Sequence, residues 1–390
     1  MKAEHPKIPI ATYRLQFNKN FTFRQAREIV PYLDQLGISH AYASPYFQAG
    51  AESMHGYDIT DHNKLNAAMG SREDYDAWIA ELHSHGMGQI LDFVPNHMGI
   101  NDPQNVWWQD VLENGPSSLY APYFDIDWRP LKTDLHDKVL LPILGDQYGR
   151  VLERGELHVR FDAGSFSLNY FDHVFPIAPG TYRYILELAL ENLAELRDED
   201  FYAEFQSILT ALEYLPRRTE TDPERIKERA REKEIIKKRL ERRCAEAPPV
   251  LRAIEKAVET INGHLGNPRS FDRLDELLNA QSYRLAFWRV AAEEINYRRF
   301  FDVNDLAAIR LAGEQDAGID RLVDKFLAAQ PPQYHGAGAA IALGTAFFGA
   351  GRALGETQVL EQRQCRRNAG ELHHLAAPQE PDLAAHQLPR

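Results

Sequence analysis

The sequence has little cysteine and no run of apolar residues long enough to cross a membrane. Its two cysteines, Cys244 and Cys365, are too few for a disulfide framework or a zinc ribbon of thiolates. The longest uncharged apolar run, Ala337 to Gly351, is shorter than the ~20 residues that a spanning helix needs. The first 17 residues contain no apolar segment of the signal-peptide kind. We therefore expect a cytoplasmic protein with no membrane partner.

Positive charge is also in short supply. The 390 residues include 44 Lys and Arg against 57 Asp and Glu, which gives a formal net charge of −13. A nucleic-acid-binding protein needs a basic surface, so this balance argues against a nucleic-acid partner. The sequence contains no Gly-rich phosphate loop, no G-x-S-x-G motif and no Cys/His dyad, and we expect no cofactor.

The first hundred residues alternate between strand and helix signals. β-rich segments at 8–17, 40–47 and 89–94 are separated by two stretches with apolar residues at helical spacing. In the second stretch Ser71 is a predicted N-cap. Four residues on one face of that stretch are expected to be buried: Tyr75, Trp78, Ile79 and Leu82. Almost continuously apolar strands with helices between them predict an α/β fold with a parallel sheet in residues 1–100.

After residue 100 the pattern changes. Residues 101–281 are predicted to be an inserted subdomain, irregular and rich in Trp, Tyr, Pro and Gly at first, then helical. Within it, Pro223 lies at the start of a highly charged helix over 221–243, which we expect to be a solvated surface helix. The segment 282–310 is predicted to contain an amphipathic barrel helix. Residues 311–390 hold few aromatic residues and no hydrophobic period, and we expect this tail to be poorly ordered.

The densest group of polar side chains lies at the end of the third predicted strand. Asp92 lies within an otherwise apolar strand, where an unpaired carboxylate is costly, so it needs a structural partner or a substrate. Asn96 and His97 follow on the loop, and both can bond hydroxyl groups. The carboxyl ends of parallel strands are where βα barrels and open sheets place their sites. The alternative is a satisfied buried Asp with a capping Asn–His pair.

A second group, His55 to His62, follows the second predicted strand. Its two His and two Asp have the density of a metal site, but their spacing matches no standard one, and we predict no metal. Tyr57 can present a flat face to a sugar ring, with Asp58 bonding hydroxyl groups. A hydrogen-bonded turn is the alternative. Taken together, the two groups converge on one cleft, and aromatic faces beside Asp, Asn and His suit an uncharged polyol.

These residues carry a close resemblance to the α-amylase superfamily of glycosidases. The run DFVPNH, from Asp92 to His97, resembles its first signature region, and HGYD, which contains Tyr57, resembles its substrate loop. The runs IATYRLQF, GYDITDHNKLN and INYRRFFDVNDLAAIR resemble, more finely, the maltooligosyltrehalose synthase family over residues 8–310. The resemblance implies an incomplete (β/α)₈ TIM-type barrel, in which the first three βα units are followed by a long irregular and helical insertion after strand 3.

An isomerase activity is what the resemblance implies. The reducing-end α-1,4 bond of a maltooligosaccharide or α-1,4-glucan would become an α,α-1,1 bond by intramolecular transglucosylation, as part of trehalose biosynthesis. Family roles would place Tyr57 against the sugar ring and His97 on its hydroxyl groups. Asp58 would help to hold the ring, Asp92 would stabilise the framework of the site, and Asn96 would brace the loop.

The catalytic carboxylates of that family have no identifiable counterpart in this sequence. The family's nucleophile strand, of the type G-[LI]-R-I-D-H, corresponds to residues 330–350, which contain no Asp and no Glu. We expect the chain to lack mutase activity, to leave one edge of the third strand unpaired, and to come from a truncated or frame-shifted reading of a longer gene. An α-glucan hydrolase of the same superfamily and a non-catalytic glucan-binding fragment are the alternatives.

Overall fold

The computed structural model describes residues 8–196, 199–310 and 340–343, all within one compact unit, Met1–Gly344. The strands are β1 Thr12–Leu15, β2 His40–Ala43, β3 Phe47–Ala49, β4 Ile59–Leu65, β5 Gly88–Phe93, β6 His97–Gly99, β7 Val139–Leu144, β8 Leu157–Asp162, β9 Ser165–Tyr170, β10 His173–Pro176, β11 Tyr283–Phe287, β12 Arg299–Phe300, β13 Val303–Ala308 and β14 Ala340–Leu343. The helices are α1 Phe23–Glu28, α2 Val30–Gln35, α3 Arg72–Ser84, α4 Val106–Asn114, α5 Tyr148–Glu153, α6 Arg183–Asn192, α7 Asp200–Tyr214, α8 Pro223–Glu246, α9 Pro248–Asn262, α10 Asp272–Asn279 and α11 Trp288–Ala291. Among the described helices, none is long and apolar enough to cross a membrane.

Three strands of the first hundred residues form the parallel sheet that the sequence predicts. β1 pairs with β2, and β2 pairs with β5, each in parallel. The expectation of an unpaired edge on the third strand is wrong, because β14 runs parallel along the other side of β5. The carboxyl ends of β1, β2 and β5 therefore lie at one edge of the sheet.

The helices beside this sheet follow their local sequence signals. Ser71 caps α3 as predicted: its hydroxyl oxygen accepts the Asp74 N–H at 3.2 Å, and the Asp74 carboxylate accepts the Ser71 N–H at 3.1 Å. The four apolar residues expected on one face of α3 are all buried. The first of the two stretches with helical spacing forms two helices, α1 and α2, because Pro31 has no N–H to donate to the preceding turn.

The inserted segment 101–281 is more regular than its composition indicates. β8, β9 and β10 form an antiparallel sheet, and β7 pairs in parallel with β11. α9 packs against α6 and β8 around a large apolar core to which α4, α7, α8 and α10 also contribute. Aromatic and proline content therefore marks turns and short helices here rather than an unstructured segment.

Helix α8 corrects the expectation of a solvated surface helix. It begins at Pro223 as predicted, with the Asp222 carboxylate accepting the Glu224 N–H at 3.1 Å. However, Lys233 is only 5% exposed. Its ammonium group donates to Asp110 at 2.8 Å and to Glu113 at 2.5 Å, both on α4. Its partners lie more than a hundred residues away in the sequence, so helical periodicity alone cannot reveal them.

The segment 282–310 does not form the predicted barrel helix. Helix is confined there to Trp288–Ala291, and the segment otherwise contributes strands β11, β12 and β13. In β11 the side chains of Tyr283 and Leu285 are buried while Arg284 is exposed, an alternation with the period of a strand. β12 and β13 form a hairpin, and β13 pairs antiparallel with β6. This pairing brings the hairpin beside the loop that follows β5.

Candidate functional site

A network of four side chains lies at the carboxyl ends of the parallel strands. Arg14, Tyr42 and Asp92 are each the last residue but one of their strands, β1, β2 and β5. Arg14 Nη1 lies 2.9 Å from Asp92 Oδ2, and the guanidinium carbon lies 4.3 Å from the ring centroid of Tyr42. Tyr57, from the loop between β3 and β4, donates its hydroxyl proton to Asp92 Oδ2 at 2.6 Å and accepts from Arg14 Nη2 at 2.9 Å. Asp92 thus has the structural partners that its place in an apolar strand requires.

The charges of this network keep the Tyr57 phenol protonated. Burial raises the pKa of Tyr57, and the hydrogen bond to the negative Asp92 raises it further. Burial alone would lower the pKa of Arg14, but its contacts with Asp92 and Tyr57 outweigh burial and raise it. The arrangement is therefore a fixed cation, a fixed anion and a neutral phenol between them. With both pKa values raised, neither Arg14 nor Tyr57 is poised to exchange a proton near neutral pH.

His97 lies beneath the backbone of Tyr57. Its Nε2 lies 2.9 Å from the Tyr57 carbonyl oxygen, and because a carbonyl only accepts, Nε2 carries the proton. The ring is 2% exposed and stacks on Phe300 with centroids 4.0 Å apart and planes 13° apart. In this arrangement His97 braces the Tyr57 loop. The resemblance implied a contact between His97 and sugar hydroxyl groups; the ring nitrogen left for such a contact, Nδ1, is buried and has no hydrogen-bond partner among the described residues.

We expect His97 to be neutral at pH 7. Burial lowers its pKa from 6.5 to about 4. Since the folded value is below the unfolded one, His97 contributes stability that is complete above about pH 6.5 and is lost as the pH falls towards about 4. Proton NMR titration, with the signal assigned through a His97→Gln variant, should show a midpoint near pH 4 for this ring. A midpoint near pH 6.5 would contradict the burial of the ring.

The remaining predicted site residues lie around this network. Asp58 is half-buried and accepts a hydrogen bond from the Ser53 hydroxyl at Oδ1. Asn96 is buried, and its carbonyl oxygen accepts the Ile309 N–H at 2.9 Å, which ties the loop after β5 to the end of β13. The resemblance implied that Asn96 braces the loop, and in this contact it is the backbone of Asn96, not its side chain, that holds the loop.

The His and Asp residues of the second group do not all converge on one point, although His55 Nδ1 lies 3.7 Å from Asp58 Oδ1. His55 is exposed, whereas His62 is buried, and its Nε2 lies 2.8 Å from the Val94 carbonyl oxygen. Asp61 accepts from the backbone and side chain of Asn63. Within the described residues there is no group of three or more His, Cys, Asp or Glu that could hold a metal ion.

Sequence reasoning missed Arg14 and Phe300. A signal for Arg14 was present, since a cation within a β-rich segment of the same predicted sheet is a natural partner for Asp92. Phe300 carried no comparable signal, because the segment around it was predicted to be helical. Its position above His97 depends on the pairing of β13 with β6.

Residues 27–149 match the family model of the alpha-amylase catalytic domain. Over these residues the chain is similar to the α-amylase family. The resemblance read from DFVPNH and HGYD is thereby confirmed, and the parallel sheet is part of a TIM-barrel-type fold.

Two curated proteins and one solved structure show how far the likeness to this family extends. A putative maltooligosyl trehalose synthase of Mycobacterium tuberculosis (strain CDC 1551 / Oshkosh) is 40% identical over 179 residues, which are 44% of this chain and 22% of that protein. An intracellular maltogenic amylase of Bacillus subtilis is 37% identical over 107 residues, 27% of this chain and 17% of that protein. The structure of maltooligosyltrehalose synthase from Arthrobacter ramosus superposes with a TM-score of 0.52 at 30% identity, covering 82% of this chain and 30% of that chain. The chain therefore spans less than a third of each of these relatives.

Proposed function

We propose that this chain derives from an enzyme that acts on α-1,4-glucans, and that β1, β2 and β5 are the first three strands of its barrel. The network of Arg14, Tyr57 and Asp92 at the carboxyl ends of these strands carries the proposal. Tyr57 is anchored by its hydroxyl group and is only half-buried, so part of its ring is accessible to a sugar. Aromatic surface beside fixed polar groups is the composition of a site for an uncharged polyol.

The substrate-contacting role belongs, in this proposal, to the exposed part of the site. Tyr57 stacks on the sugar ring, and Asp58 bonds its hydroxyl groups. Asp92, Asn96 and His97 hold these residues in place, because Asp92 is paired to Arg14 and His97 is covered by Phe300. The substrate is a maltooligosaccharide or a longer α-1,4-glucan in the cytoplasm.

For the complete enzyme we infer intramolecular transglucosylation, an isomerisation that turns a reducing-end α-1,4 bond into an α,α-1,1 bond. The names of the Mycobacterium and Arthrobacter relatives support this reaction over hydrolysis. The Bacillus amylase supports hydrolysis as the second candidate. Either reaction, when it retains the anomeric configuration, needs a nucleophilic carboxylate about 5–5.5 Å from a general acid. Asp92 is unsuited to be that nucleophile, since Oδ2 is held by both Arg14 and Tyr57.

For this chain we propose glucan binding without turnover. Residues 330–350, which correspond to the family's nucleophile strand, contain no Asp and no Glu. The sequence therefore contains the residues that we propose to bind the sugar ring. We assign no residue of this chain to the cleavage of the bond.

Calorimetric titration with maltopentaose tests the binding. We expect the purified chain to bind, and Tyr57→Ala to weaken the affinity at least ~10-fold, equivalent to about 1.4 kcal/mol. Tyr32→Ala is the matched control, because Tyr32 is an exposed tyrosine on α2, away from the network. No binding by the folded wild-type chain, or equal losses in the two variants, would refute the assignment of the site.

Product analysis after incubation with maltopentaose tests the absence of turnover. We expect neither trehalosyl products nor shorter maltodextrins above the level of a mock preparation. Trehalosyl ends would show that the chain is an active isomerase. Free glucose and maltose would show that it is a hydrolase.

A further inference from the structure

Arg14 joins two groups that come from distant parts of the chain. It lies on β1, with Tyr42 as its direct neighbour on β2. One guanidinium nitrogen contacts Asp92 on β5, and the other donates to the hydroxyl group of Tyr57 in the loop before β4. The planar fork of an arginine can meet two acceptors in fixed directions, which a lysine ammonium group cannot do. Stacking over Tyr42 holds the fork in this plane.

The Tyr57 side chain has these two hydroxyl contacts as its polar anchors. Its backbone is held separately, by His97 at the carbonyl oxygen and by His55 Nδ1 at the N–H, 3.0 Å away. A tyrosine with a fixed backbone can still change the tilt of its ring by rotation about the side-chain torsions. The hydroxyl contacts to Asp92 and Arg14 remove that freedom.

The parallel sheet has supports other than the ion pair between Arg14 and Asp92. The sheet is held by the backbone pairing of β1, β2 and β5, and a separate apolar core packs beside it. Replacement of Arg14 leaves the Asp92 carboxylate, whose side chain is 6% exposed, without its cation, so circular dichroism must first show that each Arg14 variant is folded. The side chain of Arg14 is 33% exposed, so it also keeps contact with solvent at the edge of the site.

We propose that Arg14 is a positioning residue of the glucan site, which fixes the tilt of the Tyr57 ring by holding the Tyr57 hydroxyl and Asp92 together. This inference rests on the proposed function, since it takes Tyr57 to be the surface that the sugar contacts. A ring that is already fixed loses less conformational freedom when the ligand binds, and affinity rises accordingly. Arg14 thus acts on the ligand through Tyr57.

A double-mutant cycle read by maltopentaose titration tests this role. We expect Arg14→Met to weaken binding about 10-fold, and Arg14→Lys to restore only part of the loss because lysine meets one acceptor at a time. Tyr57→Phe keeps the ring but removes the hydroxyl group. In that background Arg14→Met should have less than about a twofold effect, since the anchor is already gone. Full additivity of the two losses would refute the proposal, as would an Arg14→Met variant that binds normally.

A second measurement does not depend on any ligand. In protein with ¹³C-labelled tyrosine, the Tyr57 resonance is identified by its absence from the Tyr57→Phe variant. We expect Arg14→Met to shift this resonance and Arg24→Met to leave it in place, since the Arg24 side chain is exposed and pairs with Asp74 at 3.3 Å. An unshifted Tyr57 resonance would overturn the positioning role. If the resonance shifts but the wild-type chain does not bind maltopentaose, the contact is real and the proposed function is wrong.

Discussion

Replacement of Glu113 by glutamine is expected to lower the free energy of unfolding by about 3–5 kcal/mol, the usual cost of breaking a buried ion pair from one side. Glu113 is 5% exposed, and its two carboxylate oxygens accept from Lys233 and Lys237 at 2.5 Å each. Glutamine has almost the same shape, so the loss measures charge rather than packing. It leaves Lys233 with the half-buried Asp110 and Lys237 with the exposed Glu234. Urea denaturation followed by circular dichroism gives the difference.

The pH dependence of this difference identifies its cause. Burial alone would raise the pKa of Glu113, but the charges of Lys233 and Lys237 outweigh it and lower the pKa below its usual 4.5. The stabilisation is therefore complete above that value and is lost as the pH falls through the folded pKa. The gap between wild type and Glu113→Gln should shrink in acid.

Glu224→Gln is the matched control for this experiment. Glu224 lies on α8, the helix that carries Lys233 and Lys237, and pairs with Lys227 at 2.8 Å on the exposed side. Exposed pairs of this kind are screened by solvent, so we expect no measurable change. A Glu113→Gln variant as stable as Glu224→Gln would show that the buried charges do not hold α8 to α4.

The second large effect is expected from Gly164→Ala. Gly164 has φ +75° in the turn between β8 and β9, and a Cβ there would collide with the Lys237 carbonyl oxygen and lie 2.9 Å from the Glu241 nitrogen. A left-handed conformation costs about 1–2 kcal/mol for alanine, and overpacking against rigid helix backbone adds about 1–3 kcal/mol. We expect a total loss of about 2–5 kcal/mol in the free energy of unfolding.

Gly37→Ala separates the two contributions. Gly37 has φ +80°, but a Cβ there meets nothing within 4 Å. Its loss should be confined to the conformational cost of about 1–2 kcal/mol. If both variants lose the same amount, the turn before β9 is free to withdraw from α8, and the close approach does not constrain the fold.

The sequence predicts best the elements whose causes are local. The cap of α3 at Ser71, its buried face and the start of α8 at Pro223 all depend on residues within a few positions of one another. The segment 282–310 was misread because Phe287, Trp288 and Ile295 fit one face of a helix, whereas the strand alternation of Tyr283, Leu285 and Phe287 extends over only five residues. What selects the strand is β7, which lies more than a hundred residues earlier in the chain.

The same limit applies to the candidate site. Asp92 could be predicted to need a partner, because an isolated carboxylate in an apolar strand is unfavourable wherever the strand lies. That the partner is Arg14 follows from the order of β1, β2 and β5 in the sheet. The covering of His97 by Phe300 follows from the pairing of β6 with β13, and no pattern around either residue indicates it.

The pairing of β6 with β13 also determines how late in translation β6 can be paired. Met98 pairs with Ala307, so β6 leaves the exit tunnel long before its partner strand has been made. At about 5–20 residues per second, the delay is ~10–40 s. During this interval the loop that carries His97 has no hairpin to cover it, and the insertion between the two strands must fold first. The nascent chain therefore exposes this edge to chaperones for far longer than it takes to form a single helix.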